Sequence, residues 1–240
     1  SKPYEVIDMV TTPDGSPVAM VHCNNCTSDI NAWINIFKEF EELMGMPVDV
    51  PQLFTKLFGK ALEGDPDCGG ILSYNYISGE PVAGLVDGRP LFVRSANDKF
   101  NLANFMRAHL YASIGVLKIG NDILLKQEGV KVDRITGHGG LFKSTIAGQR
   151  VLGAALNSPI STMETAGEGG AWGIALLAAF MVNNPEGLTL PDYLEKVVFA
   201  GNKGVEVAPT PEDVEGFNRY IENYRAGLEI EKAACLAKKQ

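Results

Sequence analysis

Between Asn101 and Gln127 the chain places apolar residues at Leu102, Phe105, Met106, Leu110, Ile114, Leu117 and Ile123. Spacings of three and four residues predict one long helix with an apolar stripe along it. At about 1.5 Å of rise per residue, such a helix needs several other elements to cover it. It is the longest helix candidate in the chain.

The flanking pattern supplies those elements. Tyr4 to Val10 and Pro17 to His22 read as two strands joined by the turn signal Pro13-Asp14-Gly15. Thr27-Ser28-Asp29 is placed to cap a helix carrying Ile30, Trp33, Ile34, Phe37 and Phe40, and a second helix is predicted over Pro51 to Leu62. Ile71 to Ile77 and Val130 to Thr136 read as strands, with an irregular stretch from Ser78 to Arg89. Helices are predicted over Thr145 to Leu156, Ala171 to Val182 and Pro211 to Leu228, and Ile160 opens a short extended segment. After the opening hairpin, strands alternate with helices, which predicts an α/β domain with helices covering a sheet. Because the chain opens directly inside a hairpin, it reads as beginning after an earlier part.

Composition narrows the partners. The 240 residues carry a formal net charge of −8, so phosphate backbones and anionic lipid are repelled and neither nucleic acid nor a membrane surface is expected as a partner. The longest apolar run, Ile174 to Val182, falls short of the roughly 20 residues that span a bilayer. Four cysteines in a chain this long make no disulfide framework and read as a reducing, cytoplasmic compartment.

The stretch Val132 to Ser144, VDRITGHGGLFKS, is a strand, a glycine turn and a helix start. Such a turn lets a ligand approach the backbone closely and offers it free N–H groups. It is not a P-loop: Gly137 and Lys143-Ser144 have the spacing, but Phe142 stands where the second glycine belongs. The dinucleotide pattern fails at the same residue. A second turn, Glu168-Gly169-Gly170-Ala171, opens the Ala171–Val182 helix, which otherwise reads as a buried core helix. Cys23-Asn24-Asn25-Cys26 has no second Cys or His pair at zinc spacing, so no metal is assigned to it. His109 falls within the long helix and reads as structural.

The order of these motifs resembles the C-terminal domain of the FGGY carbohydrate kinases. Ile71 to Pro81, ILSYNYISGEP, resembles the family's strand and S-G-E-x-P loop. Arg107-Ala108 resembles the R-A pair of its long helix, and Ile135 to Gly153 its adenine-binding turn with the helix that follows. Gly167 to Ala179, GEGGAWGIALLAA, resembles its final G-A-A-x-x-A-A helix, and Tyr224-Arg225 its closing Y-R.

The resemblance implies an RNase H-like half of an actin-like ATPase, a mixed sheet flanked by helices, over residues 1–240. It implies ATP with Mg²⁺ as the phosphoryl source. The nucleotide would contact Gly79, Gly137, Gly139, Gly140, Lys143 and Ser144. Leu141-Phe142 stands where the family carries smaller residues. The family's catalytic aspartate, in a G-D motif, and its G-T-S phosphate loop are not found where they belong, so no catalytic residue is assigned. Gly64-Asp65 is a G-D pair in the wrong place, ahead of the Ile71 strand. The sugar would be held by an N-terminal domain not included in this sequence. The CNNC-TSDINAW segment resembles the xylulose and ribulose kinases more than the glycerol kinases. Two other readings stay open: a non-enzymatic nucleotide-binding regulator of the same fold, and a structural CxxC metal domain. A homodimer is left open as well.

Overall fold

In a computed structural model of the chain, the structure describes residues 3–143, 145–163, 167, 169–184, 186–201 and 204–237. Strands β1 (Ile7–Thr11) and β2 (Pro17–Val21) are followed by helices α1 (Ser28–Leu43) and α2 (Val50–Ala61). Next come β3 (Leu72–Tyr74), β4 (Leu91–Val93) and α3 (Leu102–Asp122), which runs into a wide turn over Ile123–Gln127. The remainder is β5 (Ile135–Gly137), α4 (Thr145–Leu156), β6 (Ile160–Thr162), α5 (Gly169–Val182), α6 (Leu190–Tyr193), β7 (Val205–Val207) and α7 (Pro211–Ala237).

The strands form three small sheets. β1 pairs with β2, and β3 with β4, each antiparallel. β5 and β6 run parallel, with Ile135 opposite Ile160, and β7 joins the other side of β6 antiparallel. The expected mixed sheet is therefore this three-stranded unit, against which α4 packs. The other four strands, among the described residues, stay in their own hairpins rather than extending it. The strand expected from Val130 is ordered only from Ile135. Its one neighbour, β6, begins at Ile160 opposite Ile135, so the preceding residues have no ladder to join, and Val130 and Val132 are left exposed.

α3 is the axis of the fold. Its start is capped by Asn101, whose side chain accepts from the Asn104 N–H at 2.9 Å. Every residue from Ala103 to Val116 is buried, so the predicted single stripe understates the cover. α2, α4, β3 and the Cys68–Gly70 turn pack around it, with lesser contacts from α1, α7 and β2. Burial on all sides takes in polar groups, and each of them has to find a partner. Arg107 donates to the Gly64 carbonyl at 2.8 Å and to the Tyr111 hydroxyl at 3.1 Å, and forms an ion pair with Asp213 of α7. The other oxygen of Asp213 receives Arg150 of α4 at 2.5 Å. Burial alone would raise the Asp213 carboxyl, but hydrogen bonds from Arg150 and Thr210 and the charge of Arg107 hold it below the ordinary range. Further along, Asp122 takes Lys118 and Arg225, and the Tyr224 hydroxyl meets that of Tyr76 at 2.5 Å. Tyr224-Arg225 thus ties α7 to both α3 and the segment after β3.

Three expectations need correction. Thr27 precedes α1 but makes no side-chain cap, and Asp29 instead accepts from the Trp33 indole at 3.2 Å. α7 runs beyond Leu228 to Ala237, because Gly227 packs onto Tyr74 and Glu231 is buried further on, where it accepts from the Arg89 N–H at 2.7 Å. α5 is not a buried core helix: none of its residues is buried, and Ile174 is 70 % and Met181 82 % exposed. A segment apolar on every side carries no period that tells a covered face from an open one. Its ring contacts are Trp172 with Phe199 and Phe180 with Tyr193, which lie to one side.

Two predictions follow from this core. Removing the shared carboxylate with Asp213→Ala leaves the Arg107 guanidinium buried without a counter-charge, which costs about 3–5 kcal/mol. Arg150 is partly exposed, so Arg150→Met costs clearly less. Urea unfolding checks both, and a loss under about 1 kcal/mol for Asp213→Ala would show that the triad does not fix α7 to its neighbours.

His109 sits among Trp33, Phe92 and Phe105, with Nδ1 2.9 Å from the Ser73 hydroxyl and 3.9 Å from Asp29. Burial holds its imidazole down to about 3, below the unfolded value of about 6.5. The unfolded chain therefore takes up a proton first, and stability present above pH 6.5 is lost as pH falls toward 3. The slope contributed is about 1.4 kcal/mol per pH unit at most. His109→Gln is expected to flatten the fall in stability between pH 6 and 4, whatever it costs at pH 8. An unchanged slope would assign the acid sensitivity to the carboxylates.

Candidate functional site

β5 ends at Gly137, and the chain then turns sharply. Gly139 has φ +100° and ψ −178°, a conformation that a residue with a side chain adopts only under strain. From it springs a single 3-10 turn over Gly140–Phe142, in which the Phe142 N–H donates to the Gly139 carbonyl at 3.0 Å. The Lys143 N–H donates to the Gly140 carbonyl at 3.2 Å. α4 leaves from Thr145 and packs on β6 and against α7.

The outer side of this turn faces a cavity of about 410 Å³, walled by Gly140, Leu141 and Lys143, by Thr27, Ile30 and Asn31 of the α1 start, and by Pro51, Phe54, Thr55 and Phe58 of α2. Ile30, Phe58 and Leu141 are core residues whose surfaces form its apolar floor. Thr27, Asn31, Thr55 and Lys143 are its polar lining residues, and among the described residues no carboxylate lines it. An apolar slot with a few polar groups and one cation suits a flat heteroaromatic ring attached to something anionic. On the other side of the turn, Gly139 and His138 share a more open cavity of about 590 Å³ with Gly167, Gly169, Gly170 and Ala171. The two glycine turns therefore meet, as Gly169 lies against His138.

The residues expected at the nucleotide are distributed around the turn and beyond it. Gly140 and Lys143 line the first cavity and Gly139 the second. Gly137 is buried at the strand end beneath the Phe142 ring. Gly79 lines a different cavity, of about 680 Å³, with Glu5, Asn24 and Val86. Its lack of a side chain has a packing reason there, because a Cβ would strike the Val86 carbonyl. Ser144 lies outside the described residues, as does Glu168. The α1 and α2 walls were not anticipated. Asn31 and Thr55 carry no motif, and only the fold brings both helices to the turn.

A family model for the C-terminal domain of the FGGY carbohydrate kinases matches residues 1–182. This chain belongs to the FGGY family of carbohydrate kinases. No curated protein matches the sequence. Among solved structures, xylulose kinase from Rhodospirillum rubrum superposes with a TM-score of 0.66 at 17 % identity, over 96 % of this chain and 43 % of its own. Gluconate kinase from Lactobacillus acidophilus gives 0.54 at 19 % identity, over 71 % of this chain and 34 % of its own. Plasmodium falciparum glycerol kinase, solved with ADP, gives 0.55 at 14 % identity, over 73 % and 33 %. At these identities the likeness is one of fold, the actin-like ATPase fold of the FGGY C-terminal domain. The chain spans less than half the length of these relatives.

In this FGGY domain the S-G-E loop works at one remove from the cavity. Glu80 is fully buried, and its Oε2 accepts from the N–H groups of Asn24 and Asn25, at 2.8 and 3.1 Å, and from the Asn25 amide at 3.2 Å. Asn25 Oδ1 in turn accepts from the N–H groups of Ile77 and Ser78, at 2.9 and 3.2 Å. This network fixes the Cys23–Cys26 loop, and with it Thr27 and Ile30 on the cavity wall. Burial, with the charge of Glu80 as a smaller cause, pushes the Cys23 thiol up to about 12, and burial raises Cys26 too. Metal binding needs thiolates. Among the described residues no group of three or more His, Cys, Asp or Glu comes together. Protein purified from zinc-supplemented medium is expected to carry well under one zinc per chain by elemental analysis. Stoichiometric zinc lost with Cys26→Ser would contradict this.

Proposed function

We propose that this chain is the ATP-side part of a sugar kinase, an RNase H-like half of an actin-like ATPase, and that it holds the base of the nucleotide in the cavity between the Gly137–Lys143 turn, α1 and α2. The observation that carries the reading is the cavity itself. It is apolar, open beside a strained glycine turn, and it lies at the stretch whose sequence resembles the family's adenine-binding turn. The base would lie on Ile30, Phe54 and Leu141, with Asn31 and Thr27 in reach of its polar edge. Lys143 at the rim would meet the negative charge that follows the ribose, and the backbone near Gly139 and Gly140 would pass close to the ligand. Ser144 is assigned to the same rim by its place in sequence. Mg²⁺ would enter with the triphosphate, since none of the described residues lining the cavity is a carboxylate.

ATP supplies the transferred phosphoryl group. The part of the chemistry that falls to this chain is positioning and charge neutralisation. Among the described residues we assign no general base at the site. Asp65 accepts from Asn104 at 2.8 Å and pairs with Lys99, and these partners hold its carboxyl below the ordinary range. Asp29 is buried beside Trp33 and is raised by that burial. The sugar hydroxyl and its base would come from the length of the relatives that this chain does not match. A ketopentose, xylulose or ribulose, is the acceptor we favour, on the resemblance of CNNC-TSDINAW to pentulose kinases.

Two outcomes are expected. By isothermal titration the chain binds ADP, and Gly139→Val, which forces a branched side chain into φ +100°, weakens binding at least about tenfold, or 1.4 kcal/mol. Equal affinity for both proteins would remove the turn from the site. In a coupled assay the chain alone releases no sugar-dependent ADP from D-xylulose, L-ribulose, D-ribulose or glycerol, since losing a base costs roughly a hundred- to ten-thousand-fold before the lost sugar site is counted. Activity that follows the protein through purification would place a complete active site within these residues.

A further inference from the structure

The turn at the proposed site leans on three glycines in succession. The Leu141 carbonyl lies 2.6 Å from where a Cβ on Gly148 would stand. Ring atoms of Phe142 lie 2.5 and 2.7 Å from the same point on Gly137, and the Lys143 stem 2.5 Å from that on Gly167. Real Cβ contacts do not come so close, so the Leu141 and Phe142 seats require glycine beneath them, whereas the flexible Lys143 stem could move aside. Phe142 differs from the other two because it closes the turn on itself. Its backbone N–H is bonded to Gly139, and its ring returns to the end of β5 at Gly137. The six residues from 137 to 142 thus form a loop clamped at its neck. A strained residue such as Gly139 persists only when its surroundings over-determine it, and the clamp supplies that constraint.

We propose that Phe142 is a positioning residue. Its ring, seated on Gly137, holds the glycine turn in the shape that presents Gly140, Leu141 and Lys143 to the cavity. The ring does not itself line the cavity, so it acts through the turn. The same bulk that excludes a P-loop glycine at this position therefore has a use in this chain. Without it the neck opens, Gly139 relaxes, and the cavity wall loses its fixed form. The proposal rests on the nucleotide reading of the cavity.

The test is a double-mutant cycle on the whole chain, read by ADP and adenosine titration and by thermal unfolding. Phe142→Ala is expected to weaken ADP and adenosine alike, about tenfold, and Phe142→Leu to recover most of that loss. Gly137→Ala alone should weaken binding similarly, because its methyl displaces the ring. In the Phe142→Ala background the same methyl meets empty space, so Gly137→Ala should add no further loss of affinity or of melting temperature. Full additivity of the two substitutions, or a Phe142→Ala protein that binds ADP as tightly as the parent, would overturn the proposal. If the parent chain binds neither ligand, the nucleotide reading fails, while the unfolding cycle still decides whether the seat couples the two residues.

Discussion

One buried carboxylate, Asp213, joins the two halves of this domain. It lies at the start of α7, takes Arg107 from the second turn of α3, and takes Arg150 from the second turn of α4. α3 is wrapped by the elements that precede it, whereas α4 follows the glycine turn. The triad therefore sets where α4 stands relative to the earlier core, and so where the turn stands relative to α1 and α2. Coulomb attraction in a poorly solvated setting makes such a pair costly to break, though replacing it whole by apolar groups can be neutral. Its value to this fold is geometric, since three helices have to meet at one point. The segment from Pro211 lies beyond the matched family region, yet it supplies the residue on which the matched region depends.

A second network does the same work on the other wall. Glu80 and Asn25 staple the loop ahead of α1 to the S-G-E segment. The cavity thus lies between two supports of different chemistry, an ion triad behind the turn and a carboxylate–amide network behind α1. Both are buried, and each ties a wall of the cavity to a carboxylate distant in sequence, Asp213 or Glu80. A cavity built this way is formed before any ligand arrives, which is what the proposed nucleotide pocket would require.

Much of this was legible in the sequence, and the failures have physical causes. The long helix, the glycine turn and α4 were readable because their signals are local: helical spacing, clustered glycines after a strand, and a helix start just after them. The strand expected at Val130 shrank to three residues because strand formation needs a partner, and β6 beside it begins only at Ile160, opposite Ile135. α5 was taken for core because its residues are apolar on all sides, while burial depends on what lies next to it. Gly79 was placed by motif alone, and the fold gives it a packing role against Val86 instead. Asn31, Phe54 and Thr55 were invisible as site residues, since a cavity wall assembled from two helices and a distant turn leaves no mark in any one segment.

The account stands or falls on where a nucleotide sits. Hydrogen–deuterium exchange with and without saturating ADP measures that directly, because backbone amides at a ligand are slowed where it binds. Slowed exchange is predicted in three separated stretches, at Thr27 to Asn31, at Phe54 to Phe58 and at Gly139 to Lys143, with no change around Gly79 to Val86. Protection confined to the Gly79 cavity, or absent from the Gly139 to Lys143 turn while ADP is demonstrably bound, would contradict it.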